Sequence, residues 1–155
     1  VEIPSDLEGN DNIVAYWVPE APAKAGDARE FAYRLSWGDL PHDDSEPLAF
    51  VYETRSGHGG FSGAETVKGT RKFVIDFKGG MLAALDSKAA VEPKVTLTGG
   101  ELLGTTLQKI DGTDIWRLVI EAQAASGAIV EMAAHVAGYD RKLTETWLYQ
   151  WINAK

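Results

Sequence analysis

Apolar and polar positions alternate with a period of two along most of this chain. In FAYRLSW, Phe31, Tyr33, Leu35 and Trp37 fall on one face, and Ala32, Arg34 and Ser36 on the other. In FVIDF, Phe73, Ile75 and Phe77 oppose Val74 and Asp76. In WRLVIEA, Trp116, Leu118, Ile120 and Ala122 oppose Arg117, Val119 and Glu121. VEMAAHV sets Val130, Met132, Ala134 and Val136 against Glu131, Ala133 and His135. In LTETWLYQW, one face is lined by Leu143, Glu145, Trp147, Tyr149 and Trp151. Successive side chains of a strand point to opposite faces, so this pattern describes antiparallel strands with one buried face.

Turn residues punctuate the runs. Asp111-Gly112, Ser126-Gly127 and the stretch from Gly138 to Arg141 separate the segments between 102 and 151, which predicts a four-stranded meander there. Asp-Gly supplies the positive φ angles a tight hairpin turn needs. Further strands are expected at 12–18, 29–37, 48–55, 71–78 and 94–98. Eight or nine short, evenly spaced strands make the expected fold all-β, a sandwich or barrel. The segment MLAALDSKAA, 81–90, favours helix by composition. Gly79-Gly80 before it and Pro93 after it also admit a strand and loop, and the reading leans to an irregular segment. Two long loops are expected at 19–28 and 38–47, where Pro and Asp exclude regular pairing.

Length and charge narrow the partners. At 155 residues the chain fits one domain with its own core. A net charge of −8 and a pI near 4.8 leave no basic stripe for nucleic acid. No apolar run approaches the roughly 18 residues of a membrane helix, so membrane insertion is not expected. Without cysteine, neither disulfides nor thiolate metal sites arise. The opening VEIPSDLEGNDN, starting at Val1, resembles an interior linker of a longer protein that runs to residue 11. A single domain is then expected over 12–155.

The stretch TRSGHGGFSG, Thr54 to Gly63, invites chemistry because Arg55, Ser56 and His58 sit among four glycines. A phosphate-binding P-loop needs Lys after the glycines and a helix behind them, and neither follows here. A nucleophile elbow needs Gly two residues before the serine, where this chain has Thr54. The preferred reading is a glycine-shaped turn leaving a strand, with Arg55, His58, Gly59, Gly60 and Phe61 available to a ligand or a neighbouring domain. The loop GDLPHDDSEP gathers Asp39, His42, Asp43, Asp44 and Glu46, yet its spacing does not match a calcium loop. Solvated loop charge is the reading there, and no metal or cofactor is expected. Asp76 and Glu145 interrupt strand patterns, and glycosidase chemistry needs two such carboxylates, but nothing in the sequence brings these two together. Asp76 is expected on the solvent face and Glu145 at a strand's wet end. His135 is expected as a solvent-face strand residue. Trp37, Trp116 and Trp147 are expected in the core, and Trp17, Tyr149 and Trp151 near a sheet end or an interface. The residues by themselves thus describe an antiparallel sandwich without a self-contained active site.

An ordered set of stretches carries a further resemblance: NDNIVAYWVPEAP, FAYRLSWG, TRSGHGGFSG, RKFVIDFKGG, VEP, IWRLVIEA and LTETWLYQW. Together, from about Asn10 to Trp151, they resemble the C-terminal domain of the periplasmic glucan biosynthesis proteins of the MdoG/OpgG and D-type family. The resemblance implies an immunoglobulin-like β-sandwich following a large N-terminal domain that holds a carbohydrate cleft. It implies a periplasmic location and a part in making osmoregulated periplasmic glucans, polymers of β-1,2-linked glucose. Glycoside hydrolase or transglycosylase chemistry, implied for the family, belongs to the large domain, so no catalytic residue carries over. The expected role is a non-catalytic accessory domain that packs on or completes the glucan cleft, through Arg55, His58, Gly59, Gly60, Phe61 and Trp151. The expected partners are the N-terminal domain of the same protein, β-glucan, and the membrane glucan synthase machinery. Two other readings are an independent carbohydrate-binding module with exposed aromatics and a protein–protein adaptor in a glucan synthase assembly.

Overall fold

The computed structural model describes residues 22–33, 45–60 and 67–154. The chain divides into two compact units, Val1–Leu40 and Pro41–Lys155. In the first, the described residues are irregular. A turn from Lys24 to Asp27 is closed by Asp27 N–H donating to Lys24 O at 3.1 Å, and by Lys24 N–H donating to the Asp27 carboxylate at 2.8 Å. The strand expected at 12–18 and the residues Trp17 and Trp37 lie outside the described residues. Of the strand expected at 29–37, residues 29–33 carry no strand, and the rest lies outside the described residues.

The second unit is all-β apart from one short helix. Its described elements are β1 (Phe50–His58), β2 (Thr70–Lys78), α1 (Gly80–Ala84), β3 (Val91–Thr98), β4 (Glu101–Lys109), β5 (Ile115–Gln123), β6 (Ile129–Gly138), β7 (Arg141–Lys142) and β8 (Trp147–Ile152). They form two antiparallel sheets packed as a sandwich. The first has the order β1-β2-β5-β4. In the second, β6 pairs with β3 on one side and with β7 and then β8 on the other.

The period-two pattern supplies the core. Phe73, Ile75 and Phe77 of β2 and Trp116, Leu118, Ile120 and Ala122 of β5 point inward from the first sheet. Val130, Met132, Ala134 and Val136 of β6 meet them from the second, together with Leu143, Trp147 and Trp151. Each large side chain so buried contributes about 1.5–3 kcal/mol. Trp116 and Trp147 are core residues as expected, and the Trp116 indole donates to Leu82 O at 2.9 Å, tying α1 to β5. The segment 81–90 is thus one helical turn followed by irregular backbone, and Lys109 Nζ caps the turn's end on Ala83 O at 3.0 Å and Leu85 O at 2.6 Å. Pro93 falls inside β3, which pairs only with β6 among the described residues. An edge strand tolerates a residue with no N–H to donate.

The expected meander is corrected at its centre. β4 and β5 form the hairpin marked by Asp111-Gly112, with Ile110 N–H donating to Ile115 O at 2.9 Å. β6 returns to β7 through Tyr139 and Asp140, which adopt φ of 56° and 57°, the geometry of a two-residue turn with both central residues left-handed. β5 and β6, however, do not pair. The link at Ser126-Gly127 carries the chain from one sheet to the other. Asn153 holds this crossing, with its side-chain amide donating to Ala124 O at 3.0 Å and Ala125 O at 3.1 Å. The link from β3 to β4 crosses back beside it at Gly99, whose φ is 76° and where a Cβ would stand 1.9 Å from Ile129 O. Only glycine fits at that meeting of two backbones.

Candidate functional site on the outer face of the first sheet

Residues between the core positions of β1, β2, β5 and β4 form the outer face of the first sheet. Register sets them in rows: Glu53, Asp76, Arg117 and Gln108, then Arg55, Val74, Val119 and Thr106, then Gly57, Lys72, Glu121 and Gly104. A bulge between Val51 and Glu53 in β1 sets that strand's side of the first row.

Asp76 stands on this face but is only 2% exposed, so the expectation of a solvent-facing carboxylate is corrected. Two guanidinium groups cover it. Arg117 binds it through two parallel bonds, Nε to Oδ1 at 2.7 Å and Nη2 to Oδ2 at 2.8 Å. Arg55 Nη2 reaches Oδ2 at 2.5 Å, and Arg55 Nη1 pairs with Glu53 at 3.2 Å. The Arg117 hydrogen bonds hold the Asp76 carboxyl below its ordinary range, opposed by burial and reinforced by the charges of Arg117 and Arg55. The same bonds push Arg117 upward against its own desolvation. Both groups are therefore ionised across the working pH range, and the fork geometry fixes their planes.

The glycine-rich stretch splits between strand and turn. β1 continues to His58, so Thr54, Ser56 and His58 alternate with Arg55 across the strand. Beyond it, Gly59 N–H donates to Thr70 O at 3.3 Å, and a Cβ at Gly59 would stand 2.6 Å from Thr70 Oγ1. Gly60 is gripped from both sides: its N–H donates to Glu121 Oε1 at 2.7 Å, and Lys72 Nζ donates to its carbonyl oxygen at 2.8 Å. The amide that would cradle a phosphate is thus already given to a carboxylate. Ser56 Oγ accepts from Arg71 Nη2 at 3.0 Å.

The structure brings Arg55, Gly59 and Gly60 to this face and sends His58 to the other side of β1. Phe61 lies outside the described residues. Trp151 is buried in the core, its ring 6.0 Å from that of Phe73. Phe73 also meets Trp147 at 5.9 Å and Tyr149 at 5.2 Å, and Trp147 stacks on Tyr149 at 5.4 Å. These aromatic faces turn inward, with Trp147 anchored by its indole N–H to Thr54 Oγ1 at 3.0 Å. The Glu145 side chain is used structurally, accepting Val51 N–H at 2.6 Å. Of the candidate ligands in the acid-rich loop only Glu46 is described, and among the described residues no three His, Asp or Glu side chains gather to hold a metal.

Sequence reasoning missed Arg117, Lys72 and Glu121. The available signal was a carboxylate inside an apolar strand run, which asks for a cation at the same height on a neighbouring strand. What the face offers is a plane of hydrogen-bonding groups, with Arg55 half-exposed on the β1 edge and Gln108 and Thr106 on the opposite, β4 edge.

Such a fold and face define an all-β sandwich module with an ordered polar surface. The chain belongs to the family described as periplasmic glucan biosynthesis protein, MdoG, whose model matches residues 1–151. It is 59% identical to glucans biosynthesis protein G of Cereibacter sphaeroides over 99% of its length. It is 38% identical to glucans biosynthesis protein D of Pseudomonas fluorescens strain SBW25, and 38% identical to the D protein of Enterobacter sp. strain 638, over 97% of its length in both cases. The chain spans 28%, 29% and 28% of these relatives, respectively.

Proposed function

We propose that this chain is a non-catalytic accessory domain of a periplasmic protein required for osmoregulated periplasmic glucan biosynthesis. Its task is to pack on, or complete, the glucan cleft formed by the remainder of the protein. The observation that carries the non-catalytic part is Asp76. It is the one buried carboxylate among the described residues, and its environment is the reverse of what a general acid needs. A glycosidase acid holds its proton near neutral pH because its carboxyl is raised. Asp76 is instead lowered, and its oxygens are taken up by two arginines. Family membership supports the glucan role, and matching less than a third of its relatives' length leaves ample chain elsewhere for the chemistry.

Incubating the chain with linear β-1,2-glucan tests the reading. No increase in reducing ends is expected, and release of short oligosaccharides would overturn it. The cleft role is tested separately in the intact protein. Arg55→Gln, which removes the charge without setting a second carboxylate beside Asp76, is expected to raise the KM for glucan while this domain keeps a native unfolding transition, and an unaltered KM would remove Arg55 from the cleft.

A further inference from the structure

The outer face of the second sheet carries a groove of about 540 Å3, bounded by Lys94 and Thr96 of β3, Ala133 and His135 of β6, and Thr146. Strand register builds it. Lys94 lies opposite His135, Thr96 opposite Ala133, and Lys142 opposite Ala137 one step further along the same face. The Lys142 ammonium donates to Thr146 Oγ1, which holds it beside the groove. Ala133 ends at Cβ and leaves the floor open.

Lys94 and His135 thus line one concavity, with Lys142 held beside it through Thr146, in a chain whose net charge is −8. Burial lowers the His135 pKa, and the charges of Lys142 and Lys94 lower it further. The facing carboxylates are Glu92, which pairs with Lys94 at 2.6 Å, and Glu131, further along β6 opposite Thr98. Glu145 is turned to β1 by its bond to Val51. The core has no use for this cluster, since it lies on the face away from the packed aromatic side chains. Glu92 offsets part of the Lys94 charge and a neutral hydroxyl holds Lys142, so an added anion still meets net positive charge here.

We infer that this groove is an oxyanion-binding site that takes a carboxylate or a phosphate-type group carried on a small ligand or a polymer. Lys94 and Lys142 supply the charge, the Thr96 and Thr146 hydroxyls supply hydrogen bonds, and His135 adds a third cation when protonated. The site is on the sheet opposite the Asp76 face, and it does not depend on the proposed accessory role. An anion in the groove favours the imidazolium, so binding takes up a proton and tightens as pH falls through the histidine range.

NMR titration of the chain with sodium sulfate and with sodium acetate, at ionic strength held constant with chloride, tests this. Sulfate represents the tetrahedral oxyanions because its charge is constant across the range, and acetate represents carboxylates. Saturating shifts centred on Lys94, Thr96, Ala133, His135 and Thr146 are expected with one or both, together with a rise in the His135 pKa. The anion that saturates first assigns the class. Lys94→Gln with Lys142→Gln is expected to weaken binding by about tenfold, with an otherwise native spectrum. If that pair fails to fold, Lys94→Gln alone, altering a half-exposed ammonium, provides the same reading with a smaller loss. Shifts equal to those in chloride, shifts spread over all exposed lysines, or undiminished binding in the folded variants would overturn the site.

Discussion

At the scale of single residues, the clearest case is Asp76. A carboxylate at 2% exposure survives only because Arg117 and Arg55 replace the water it has lost. Asp76→Asn keeps the shape and removes the charge. Hydrogen bonds to charged groups contribute roughly 1.5–3 kcal/mol, and the partly exposed arginines rehydrate, so a loss of about 2 kcal/mol at neutral pH is expected. Urea denaturation measures it. The pH dependence follows from the direction of the shift. The folded carboxyl titrates below the unfolded one, so its stabilisation is complete above about pH 4 and is lost as pH falls further. The deficit of the Asn variant should therefore shrink in acid, and a deficit constant from pH 7 to pH 3 would contradict the ion-pair account. Gly59 makes a second residue-scale case. Gly59→Ala puts a methyl group 2.6 Å from Thr70 Oγ1, and a loss of about 1–3 kcal/mol in the same assay is expected.

At the scale of elements, the strands of the sandwich unit were legible and their partners only partly so, whereas the alternation that begins at Phe31 misled over residues 29–33, which carry no strand. Alternation in FVIDF, WRLVIEA and VEMAAHV marked the inward side of β2, β5 and β6 correctly, because burial of one face imposes that pattern whatever the neighbour. Pairing is another matter. Ser126-Gly127 and Asp111-Gly112 look alike in sequence, yet one link returns beside its own strand and the other crosses the roughly 10 Å between sheets. The choice is made by Asn153 and by the close approach at Gly99, both distant in sequence. Burial of Asp76 was hidden for the same reason: its partners lie 21 and 41 residues away and are brought together by register. Likewise, the glycines of TRSGHGG announced a tight path, but not the Lys72 and Glu121 that grip it. The β6–β7 turn allows a test. Tyr139 and Asp140 occupy left-handed backbone that costs both residues energy. Tyr139→Asn with Asp140→Gly installs the preferred pair and is expected to add about 0.5–1 kcal/mol, read as a higher thermal midpoint.

At the scale of the whole molecule, the ends of the sandwich unit meet. Ala49 bridges Thr144 in parallel, Val51 N–H binds the Glu145 carboxylate 94 residues later, and Thr54 accepts from Trp147 93 residues later. Closing so long a loop is entropically expensive and is repaid only when both flanks are already in place. During synthesis β1 can pair with β2 early, but the ties of Ala49 and β1 to Thr144, Glu145 and Trp147 wait for the segment that leads into β8, the last strand described. Until β8 leaves the ribosome, Phe73 lacks the aromatic wall of Trp147, Tyr149 and Trp151. A chain stopped before Trp147 would keep most of its strands and yet expose an open, greasy edge, the form in which a nascent sandwich most needs a chaperone.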